Sequence, residues 1–230
     1  METIYIEIPF ENESFKITAI MHPNTYINKI LLGSEQGKLQ LWNMRHGKLI
    51  YAFSGFCSKI TVLEQAPAVD VVAVGLANGQ IALLNLKVDK ILMEFKQEWG
   101  IVTAISFRTD GPPIISTSSS NGQIAFWDLE EKKIVSTLHA HNDTVCTLKF
   151  LPNEPLLLTT SSDNSLKMWV FDKLDGNPRL LRYRDGHGAP PLCIRYHGAN
   201  GDSILSSGDD SSLRIFSTVS ETLNVSLGRA

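Results

Sequence analysis

A repeat with a period of 42 to 47 residues runs through this 230-residue chain and constrains its fold more than any other feature. Five segments share alternating apolar residues before a large side chain, and they read GKLQLWNM, GQIALLNL, GQIAFWDL, NSLKMWVF and SSLRIFST. Their large side chains are Trp42, Leu84, Trp127, Trp169 and Phe216. A repeat of roughly 40–45 residues is typical of the blades of a β-propeller.

A second landmark recurs in phase with the first. Short alternating segments begin, 42 to 47 residues apart, at Thr18, Thr61, Thr103, Cys146 and Cys193. Between the landmarks lie apolar runs that end in Gly, Asn, Asp or Ser turns, the pattern of hairpin-connected strands. No segment shows a convincing helical period. The sequence therefore predicts an all-β protein, a WD-repeat β-propeller with about five four-stranded blades.

The whole chain, residues 1–230, is predicted to be a propeller segment. Residues 4–10 resemble the last strand of an earlier blade, and nothing after Phe216 completes another blade. Because stacked blades bury one another's faces and ring closure limits exposed edges, we expect these repeats to be part of a larger ring, incomplete at both ends.

The charge and cysteine content argue against several classes of protein. The net charge is -3 and the isoelectric point about 6.1, so the overall basic field of a nucleic-acid binder is absent. The 3 cysteines are far apart and form no CxxC, which argues against a disulfide framework or a zinc site. No signal-peptide pattern or bilayer-spanning apolar run occurs. We expect no cofactor, no metal and no membrane association.

The fourth repeat carries the fullest polar signature of a WD repeat. His141 precedes its first strand, Asp163 lies in its hairpin, and Trp169 ends the next strand. Ser161 or Thr160 is expected to supply the hydroxyl of a buried network, since buried polar groups must be paired. A Ser-His-Asp catalytic triad is the alternative interpretation. The spacing and the absence of a GxSxG elbow favour the structural network.

The other repeats depart from this signature. The fifth has His187 and Asp210, with Phe216 in place of the tryptophan. The first three lack the histidine, and where the fourth has Asp163 they have Gln36, Asn78 and Asn121. We expect these blades to depend more on packing than on a polar network.

Two further patterns resemble ligand sites but do not complete one. His139 and His141 alternate along a strand, yet a metal site needs a third ligand, and none is near in sequence. The segment GSEQGKL at 33–39 resembles a phosphate-binding loop with the wrong spacing and no Ser or Thr after Lys38. We reject both sites.

An arginine-rich segment is the first candidate for contact with a partner or RNA. Four arginines are expected to cluster around the long loop NPRLLRYRDGHG, with Tyr183 among them, and they are Arg179, Arg182, Arg184 and Arg195. Arginine beside an aromatic ring can bind RNA, although a solvated loop with local pairing to Asp175 and Asp185 is the favoured interpretation. Phe56 and Trp99 lie in loops where a histidine would be expected. They are candidates for partner anchors, although core packing is the commoner explanation for large apolar side chains.

Several strings in the chain are unusual for a generic WD repeat, among them QAPAVDVVAVGL, WGIVTAISFRTDG, PLLLTTSSDNSLKMWVFD and NPRLLRYRDGHGAP. With these strings the chain resembles the tandem-WD-repeat subunit of the small-subunit processome, from about Phe15 to Gly228. The resemblance implies a non-catalytic scaffold in ribosome biogenesis. Its implied partners are other UTP-B and processome proteins, with contact to pre-rRNA or small nucleolar RNA through the larger particle, and its implied location is the nucleolus.

Two other functions are compatible with the repeat alone. A generic WD-repeat adaptor in another complex would have the same blades. An enzyme would need a polar constellation outside the blade network, and the sequence contains none that we recognise. If the chain belongs to the family that it resembles, it is expected to be the middle and end of that family's first propeller.

Overall fold

The computed structural model describes residues 15–172, 176–185, 187–198, 201–218 and 224–227. The regular elements in these ranges are 20 β-strands, which form five four-stranded antiparallel sheets. Each sheet contains four strands that are consecutive in sequence, hydrogen-bonded in chain order. The predicted all-β propeller with five four-stranded blades is therefore confirmed.

The strand bounds define the blades. Blade 1 contains β1 Ile17–Met21, β2 Lys29–Ser34, β3 Leu39–Asn43 and β4 Lys48–Ala52. Blade 2 contains β5 Ile60–Gln65, β6 Val71–Leu76, β7 Gln80–Asn85 and β8 Lys90–Lys96. Blade 3 contains β9 Val102–Phe107, β10 Ile114–Ser119, β11 Gln123–Asp128 and β12 Lys133–His139. Blade 4 contains β13 Val145–Phe150, β14 Leu156–Ser161, β15 Ser165–Val170 and β16 Arg179–Asp185. Blade 5 contains β17 Pro191–His197, β18 Ser203–Gly208, β19 Leu213–Ser217 and β20 Asn224–Leu227.

The chain divides into two compact units, Met1–Val102 and Thr103–Ala230. Blades 1 and 2 lie in the first unit, and blades 3 to 5 lie in the second. The boundary falls within β9, so its first residue is counted with the first unit.

Blades 1 and 2 bury a continuous apolar core in the first unit. All six residues of β6 are buried, which requires a covered surface on both faces of the sheet. The core joins Leu31 and Leu41 of blade 1 to Ile60 and Val74 of blade 2. Burying an aliphatic side chain of this size contributes about 1.5–3 kcal/mol, so this contact is the main reason the two sheets stack.

Threonine hydroxyls add directional ties at the start of the first strands. Thr18 Oγ1 donates to the carbonyl of Ile60 at 2.5 Å, and Thr61 Oγ1 donates to the carbonyl of Val102 at 2.6 Å. Both threonines lie where β1 and β5 carry a bulge against the neighbouring strand. A bulge leaves its residue outside the ladder and re-aims the side chain, so the hydroxyl can reach the next strand along the repeat.

Blades 3 to 5 pack in the same way in the second unit. Blades 3 and 4 share an apolar cluster built around Phe126, Leu148 and Leu157. Blades 4 and 5 share a smaller cluster, and Thr160 Oγ1 donates to the carbonyl of Pro191 at 2.9 Å.

The repeat landmarks have clear structural meanings. The five large side chains all lie near the end of the third strand of their blades. The long fourth interval reflects the connection between β15 and β16, which has eight residues where blades 1 to 3 have four. Part of that connection, 173–175, lies outside the described residues.

One landmark assignment is wrong by one residue. Cys146 is skipped in the ladder between Val145 and Thr147, whereas in blade 5 the skipped residue is Leu192. Cys193 therefore corresponds to Thr147 and not to Cys146. Sequence spacing alone could not separate the two because the insertion precedes β17.

Candidate functional site

A buried polar network joins the loop before blade 4 to two strands of that blade. His141 is 1% exposed, and its Nε2 lies 2.8 Å from Oγ1 of Thr159. Trp169 Nε1 donates to the same hydroxyl oxygen at 3.0 Å. On the other side of the ring, Nδ1 of His141 lies 2.9 Å from Oγ of Ser165 and 3.2 Å from Oδ2 of Asp163.

The donors and acceptors define one direction for the protons. Ser165 donates its hydroxyl proton to Asp163 Oδ1 at 2.5 Å, so Ser165 Oγ can only accept from His141. Nδ1 of His141 therefore carries the proton, and Nε2 accepts from Thr159. The chain of hydrogen bonds runs from Trp169 through Thr159 and His141 to the carboxylate of Asp163.

The environment of the network keeps the imidazole neutral and the carboxylate charged. Burial lowers the pKa of His141 to about 4, although the nearby Asp163 charge opposes the shift. Burial alone would raise the pKa of Asp163, but hydrogen bonds from the hydroxyl and backbone amide of Ser165 outweigh it and lower the pKa to about 2. A neutral histidine beside an ionised aspartate is the charge state that the proton direction requires.

The network hydroxyl that bonds the histidine comes from Thr159, and neither Ser161 nor Thr160 supplies it. Ser161 Oγ instead accepts from the amide of Asp163 at 3.1 Å and donates to the carbonyl of Asp143 at 3.2 Å. Ser161, Thr159 and Thr160 are each 0% exposed. A substrate could not reach any of these hydroxyls unless the blade opened. The arrangement therefore favours a structural role for the three hydroxyls over a role as a catalytic nucleophile.

Blade 5 contains a shorter version of the same network. His187 Nε2 lies 2.8 Å from Oγ of Ser206, and its Nδ1 lies 3.2 Å from the carboxylate of Asp210. Ser212 donates to Asp210 Oδ1 at 2.7 Å and lowers the pKa of that carboxyl. Phe216 meets the imidazole edge to face, with ring centroids 6.4 Å apart, where blade 4 has an indole donor.

Blades 1 and 3 keep only the tryptophan end. In blade 3 Trp127 Nε1 donates to Oγ1 of Thr117 at 2.9 Å, and in blade 1 Trp42 Nε1 donates to Oε1 of Gln40 at 2.9 Å. Asn121 caps its own hairpin by accepting from the amide of Gln123 at 3.2 Å. Each of these three hydrogen bonds joins residues of a single blade.

The metal alternative has no support in the described part of the chain. His139 is exposed, whereas His141 is committed to the network. Among the described residues, no group of three His, Cys, Asp or Glu side chains lies close enough to bind a metal ion. The three cysteines are free thiols. No helix within the described ranges is long and apolar enough to cross a membrane.

The four arginines do not form one cluster. Arg179, Arg182 and Arg184 lie on β16, the last strand of blade 4, whereas Arg195 lies on β17, the first strand of blade 5. β17 packs against β13 and β14, at the opposite edge of the blade 4 sheet from β16. The interpretation of one four-arginine patch is therefore wrong, because adjacent positions in sequence cross from one blade edge to the other.

The β16 arginines also have contacts within the protein. Arg179 pairs with Asp172 at 2.5 Å, while Asp175 and the side chain of Asp185 lie outside the described residues. Arg184 donates to the carbonyl of Ser217 at 3.1 Å and lies over the ring of Phe216. Arg184 thus ties blade 4 to blade 5.

The two candidate anchors differ from exposed hot spots. Phe56 is half-buried and packs against the core shared by blades 1 and 2. Trp99 is also half-buried. Phe56 therefore packs against the core, which was the commoner of the two explanations considered for its sequence position.

The outermost strands carry an apolar feature that sequence reasoning missed. β4, β8, β12 and β16 each contain a bulge directly beside the large landmark residue of the third strand. The bulged residues are apolar and 38–45% exposed, and they are Ile50, Leu92, Val135 and Leu181. Each is preceded two residues earlier by Lys or Arg. This recurring basic-apolar-apolar triplet was the signal in the sequence.

Bulges and basic residues at a sheet edge prevent pairing with another strand. The same positions leave apolar side chains in contact with water, so these edges favour side-chain contacts over strand addition. The outer strands therefore combine protected edges with exposed apolar side chains.

Comparison with known proteins connects this geometry to a family. The family model described as WDR36/Utp21 first beta-propeller matches residues 1–172, and the model of the WD domain, G-beta repeat, matches residues 178–217. The solved structure of U3-55K superposes with a TM-score of 0.76 over 91% of this chain and 63% of that chain. At 18% identity, that likeness shows the fold alone.

Curated relatives match over almost the whole chain. WD repeat-containing protein 36 of Homo sapiens is 52% identical over 228 residues, which are 99% of this chain and 26% of the relative. The U3 small nucleolar RNA-associated protein 21 homolog of Schizosaccharomyces pombe is 44% identical over 95% of this chain and 24% of the relative. U3 small nucleolar RNA-associated protein 21 of Saccharomyces cerevisiae is 33% identical, over 90% of this chain and 23% of the relative.

The chain therefore spans about a quarter of the length of the curated relatives that it matches. The resemblance read from its sequence strings is confirmed by both the family model and these relatives. Since the family model covers well over half of the residues, this chain belongs to the WDR36/Utp21 family and matches that family's first β-propeller.

Proposed function

We propose that this chain is a non-catalytic scaffold of the small-subunit processome, where it supports assembly of the particle and maturation of pre-18S rRNA. The observation that carries the proposal is the 52% and 44% identity to two relatives over at least 95% of the chain. The name of the second relative associates it with U3 small nucleolar RNA. An identity of this extent covers blade surfaces as well as cores.

The polar residues fit a scaffold because they support the blades. The His141 network is buried, neutral at the imidazole and fully bonded, so it supplies rigidity and no reactive group. In blades 1 to 4 the outer bulge exposes an apolar side chain, where a scaffold would contact its neighbours. We propose that these neighbours are other UTP-B and processome proteins and that the chain acts in the nucleolus.

The whole chain, residues 1–230, is proposed to act as one propeller segment. The repeat continues through both compact units without a change in strand order or blade composition. The fifth blade keeps its own histidine network, so it has the features of a working blade.

Contact with RNA is proposed at the outer strand of blade 4. Arg182 and Tyr183 lie beside a depression of about 370 Å³ that Leu181 and Arg184 also line. An arginine beside an aromatic ring can contact a phosphate and stack on a base. Arg195 is not part of this surface because it lies on the first strand of blade 5.

Depletion of the encoded protein, followed by northern blotting of ribosomal RNA precursors, tests the scaffold proposal. We expect 18S precursors to accumulate while the large-subunit RNA matures normally. Rescue with a copy carrying Thr159→Ser, which keeps the network hydroxyl, is expected to restore processing. Normal 18S maturation after depletion would overturn the proposal, and proximity labelling that returned no nucleolar protein would favour an adaptor in another complex.

A further inference from the structure

Blade 2 differs from blades 3 and 4 at the positions where those blades hold a tryptophan and the threonine that bonds it. Leu84 occupies the place of the tryptophans in blades 1, 3 and 4. Val74 occupies the place where Thr159 bonds the indole in blade 4. Phe56, in the loop before this blade, packs with Leu84 and Val74 in one apolar cluster. The site that holds an indole and a threonine acceptor in blades 3 and 4 is thus apolar in blade 2, and Leu84 is smaller than the indole.

A cavity of about 240 Å³ opens beside Leu84, within the first compact unit. Its walls come from the loop between β4 and β5 and from the hairpin between β7 and β8, and the lining residues are Ser54, Gly55, Phe56, Leu84, Asp89, Lys90 and Ile91. Small-molecule sites usually have volumes of roughly 300–1,000 Å³. This cavity is smaller and has the size of one large side chain.

A fixed carboxylate lies on the wall of the cavity. Asp89 Oδ2 accepts from the hydroxyl of Tyr51 at 3.1 Å, from the amide of Ser54 at 3.2 Å and from the hydroxyl of Ser54 at 3.0 Å. These three bonds end on one oxygen, so the carboxylate keeps acceptor capacity on the other. Asp89 has φ 49°, a left-handed conformation that costs a non-glycine residue about 1 kcal/mol. Blade 1 has Gly47 at the same place, so the fold itself does not require a carboxylate there.

The surface around the cavity is apolar. Tyr51 and Leu92 are 46% and 45% exposed, and Ile91, at 38%, forms both a wall and part of this surface. A partner that inserted a side chain would bury these groups as well. Large apolar contacts around a central pocket are typical of the energetic centre of a protein interface.

We propose that this cavity receives one aromatic side chain with a hydrogen-bond donor, a tryptophan or a tyrosine, from a partner protein of the scaffold. The apolar lining of Phe56, Leu84 and Ile91 fits an aromatic ring, and the free oxygen of Asp89 fits an N–H or O–H. Lys90 at the same cavity disfavours a cationic side chain. The inference rests on the proposed scaffold function, and it assigns a contact point on blade 2.

Titration of the methyl-labelled protein with N-acetyl-L-tryptophanamide tests the site directly. We expect saturable shifts of the Leu84 and Ile91 methyl signals with half-saturation in the millimolar range. N-acetyl-L-alaninamide is expected to cause none, because it lacks the ring. N-acetyl-L-argininamide that bound as tightly as the tryptophan probe would overturn the assignment to a neutral aromatic side chain, and the absence of any saturable shift would overturn the site.

Leu84→Trp is the informative variant because blades 1, 3 and 4 already have tryptophan at this position. The introduced indole is expected to fill the cavity and weaken probe binding at least tenfold at the Ile91 signal. Val135→Ala changes a bulged residue of blade 3 and is expected to leave the titration unchanged. Unchanged binding by the Leu84→Trp protein would overturn the proposal.

A second variant covers the case in which Leu84→Trp does not fold. Asp89→Asn keeps the size of the side chain and is expected to weaken the tryptophan probe about threefold, while a probe without a donor, N-acetyl-L-phenylalaninamide, binds both proteins equally. Equal binding of the tryptophan probe to the wild type and the Asp89→Asn protein would contradict the role of the carboxylate. These binding results do not depend on rRNA processing, so failure of this site and failure of the scaffold function can be told apart.

Discussion

The hydroxyl of Thr159 donates to Nε2 of His141 across 2.8 Å and so connects the loop before blade 4 to its second strand. The same oxygen accepts from Trp169 Nε1 at 3.0 Å. One buried hydroxyl therefore satisfies the imidazole and the indole together. Removing it leaves two buried polar groups without their partner.

Thr159→Val is expected to lower the free energy of unfolding by roughly 2–4 kcal/mol, because each buried unsatisfied group costs about 1–3 kcal/mol. Thr117→Val is the matched control, since Thr117 also accepts from an indole, that of Trp127, in a blade whose preceding loop contains no histidine. Its expected loss is about 1–2 kcal/mol. Urea unfolding measures both. Equal losses for the two variants would contradict the shared role of Thr159.

The stability of the second unit is expected to fall as the pH drops from about 6.5 to about 4. The pKa of His141 is about 4 in the fold, below the 6.5 of an unperturbed histidine, so in this window the unfolded chain binds a proton that the folded chain does not. The contribution is fully present above pH 6.5 and is lost as the pH falls through the window, with a slope that approaches 1.4 kcal/mol per pH unit, or about 3 kcal/mol in all.

Denaturant unfolding at pH 7, 6 and 5 checks this dependence. His141→Gln is expected to be less stable at pH 7 and to show a flatter profile between pH 6.5 and 4. His139→Gln, at an exposed neighbouring position, should keep the slope of the wild type. A wild-type profile that was flat through this window would contradict a neutral, buried His141.

Gly122→Ala is expected to destabilise the second unit by about 2 kcal/mol or more. Gly122 has φ 84°, and a Cβ there would lie 2.0 Å from the carbonyl oxygen of His141. The Cβ would be fixed to the backbone of residue 122 and the oxygen belongs to the backbone of His141, so neither can move without disturbing the loop that also holds the network. Gly111→Ala is the control, because a Cβ at Gly111 meets only the end of the Arg108 side chain at 3.9 Å. Thermal unfolding of the two variants should differ clearly.

Thr61→Val is expected to cost about 1 kcal/mol in the first unit. The substitution keeps the shape of the side chain and removes the 2.6 Å hydrogen bond to the carbonyl of Val102. Thr25→Val removes an exposed hydrogen bond to Asp70 and should have almost no effect. If the two variants unfolded at the same urea concentration, the half-buried Thr61 would not be a structural tie.

Much of this architecture was predictable because repeated burial imposes a repeated sequence. The period located all five blades, and the alternation of apolar residues located their strands. The histidine, aspartate and tryptophan of blade 4 could also be selected from spacing. The hydroxyl could not, since Thr159, Thr160 and Ser161 are consecutive and alternate between the faces of β14. Pairing with β15 decides which of them points towards Trp169.

The arginines show a second limit of sequence reasoning. Arg184 and Arg195 are 11 residues apart in sequence. The chain nevertheless passes from the last strand of one blade to the first strand of the next between them. Sequence proximity therefore does not imply spatial proximity at a blade junction.

The sequence by itself determined the all-β class, the number of blades and the family, because these depend on periodicity and on specific strings. Only the tertiary structure decided which hydroxyl completes the network, which bulged residues face water, and that the Leu84 position of blade 2 adjoins a cavity beside Asp89. These features depend on strand register and on contacts between segments that are distant in sequence, since His141 and Thr159 are 18 residues apart and Ser54 and Asp89 are 35 apart. The basic-apolar-apolar triplet recurs at the outer bulges, but pairing with the third strand decides which of its residues is skipped.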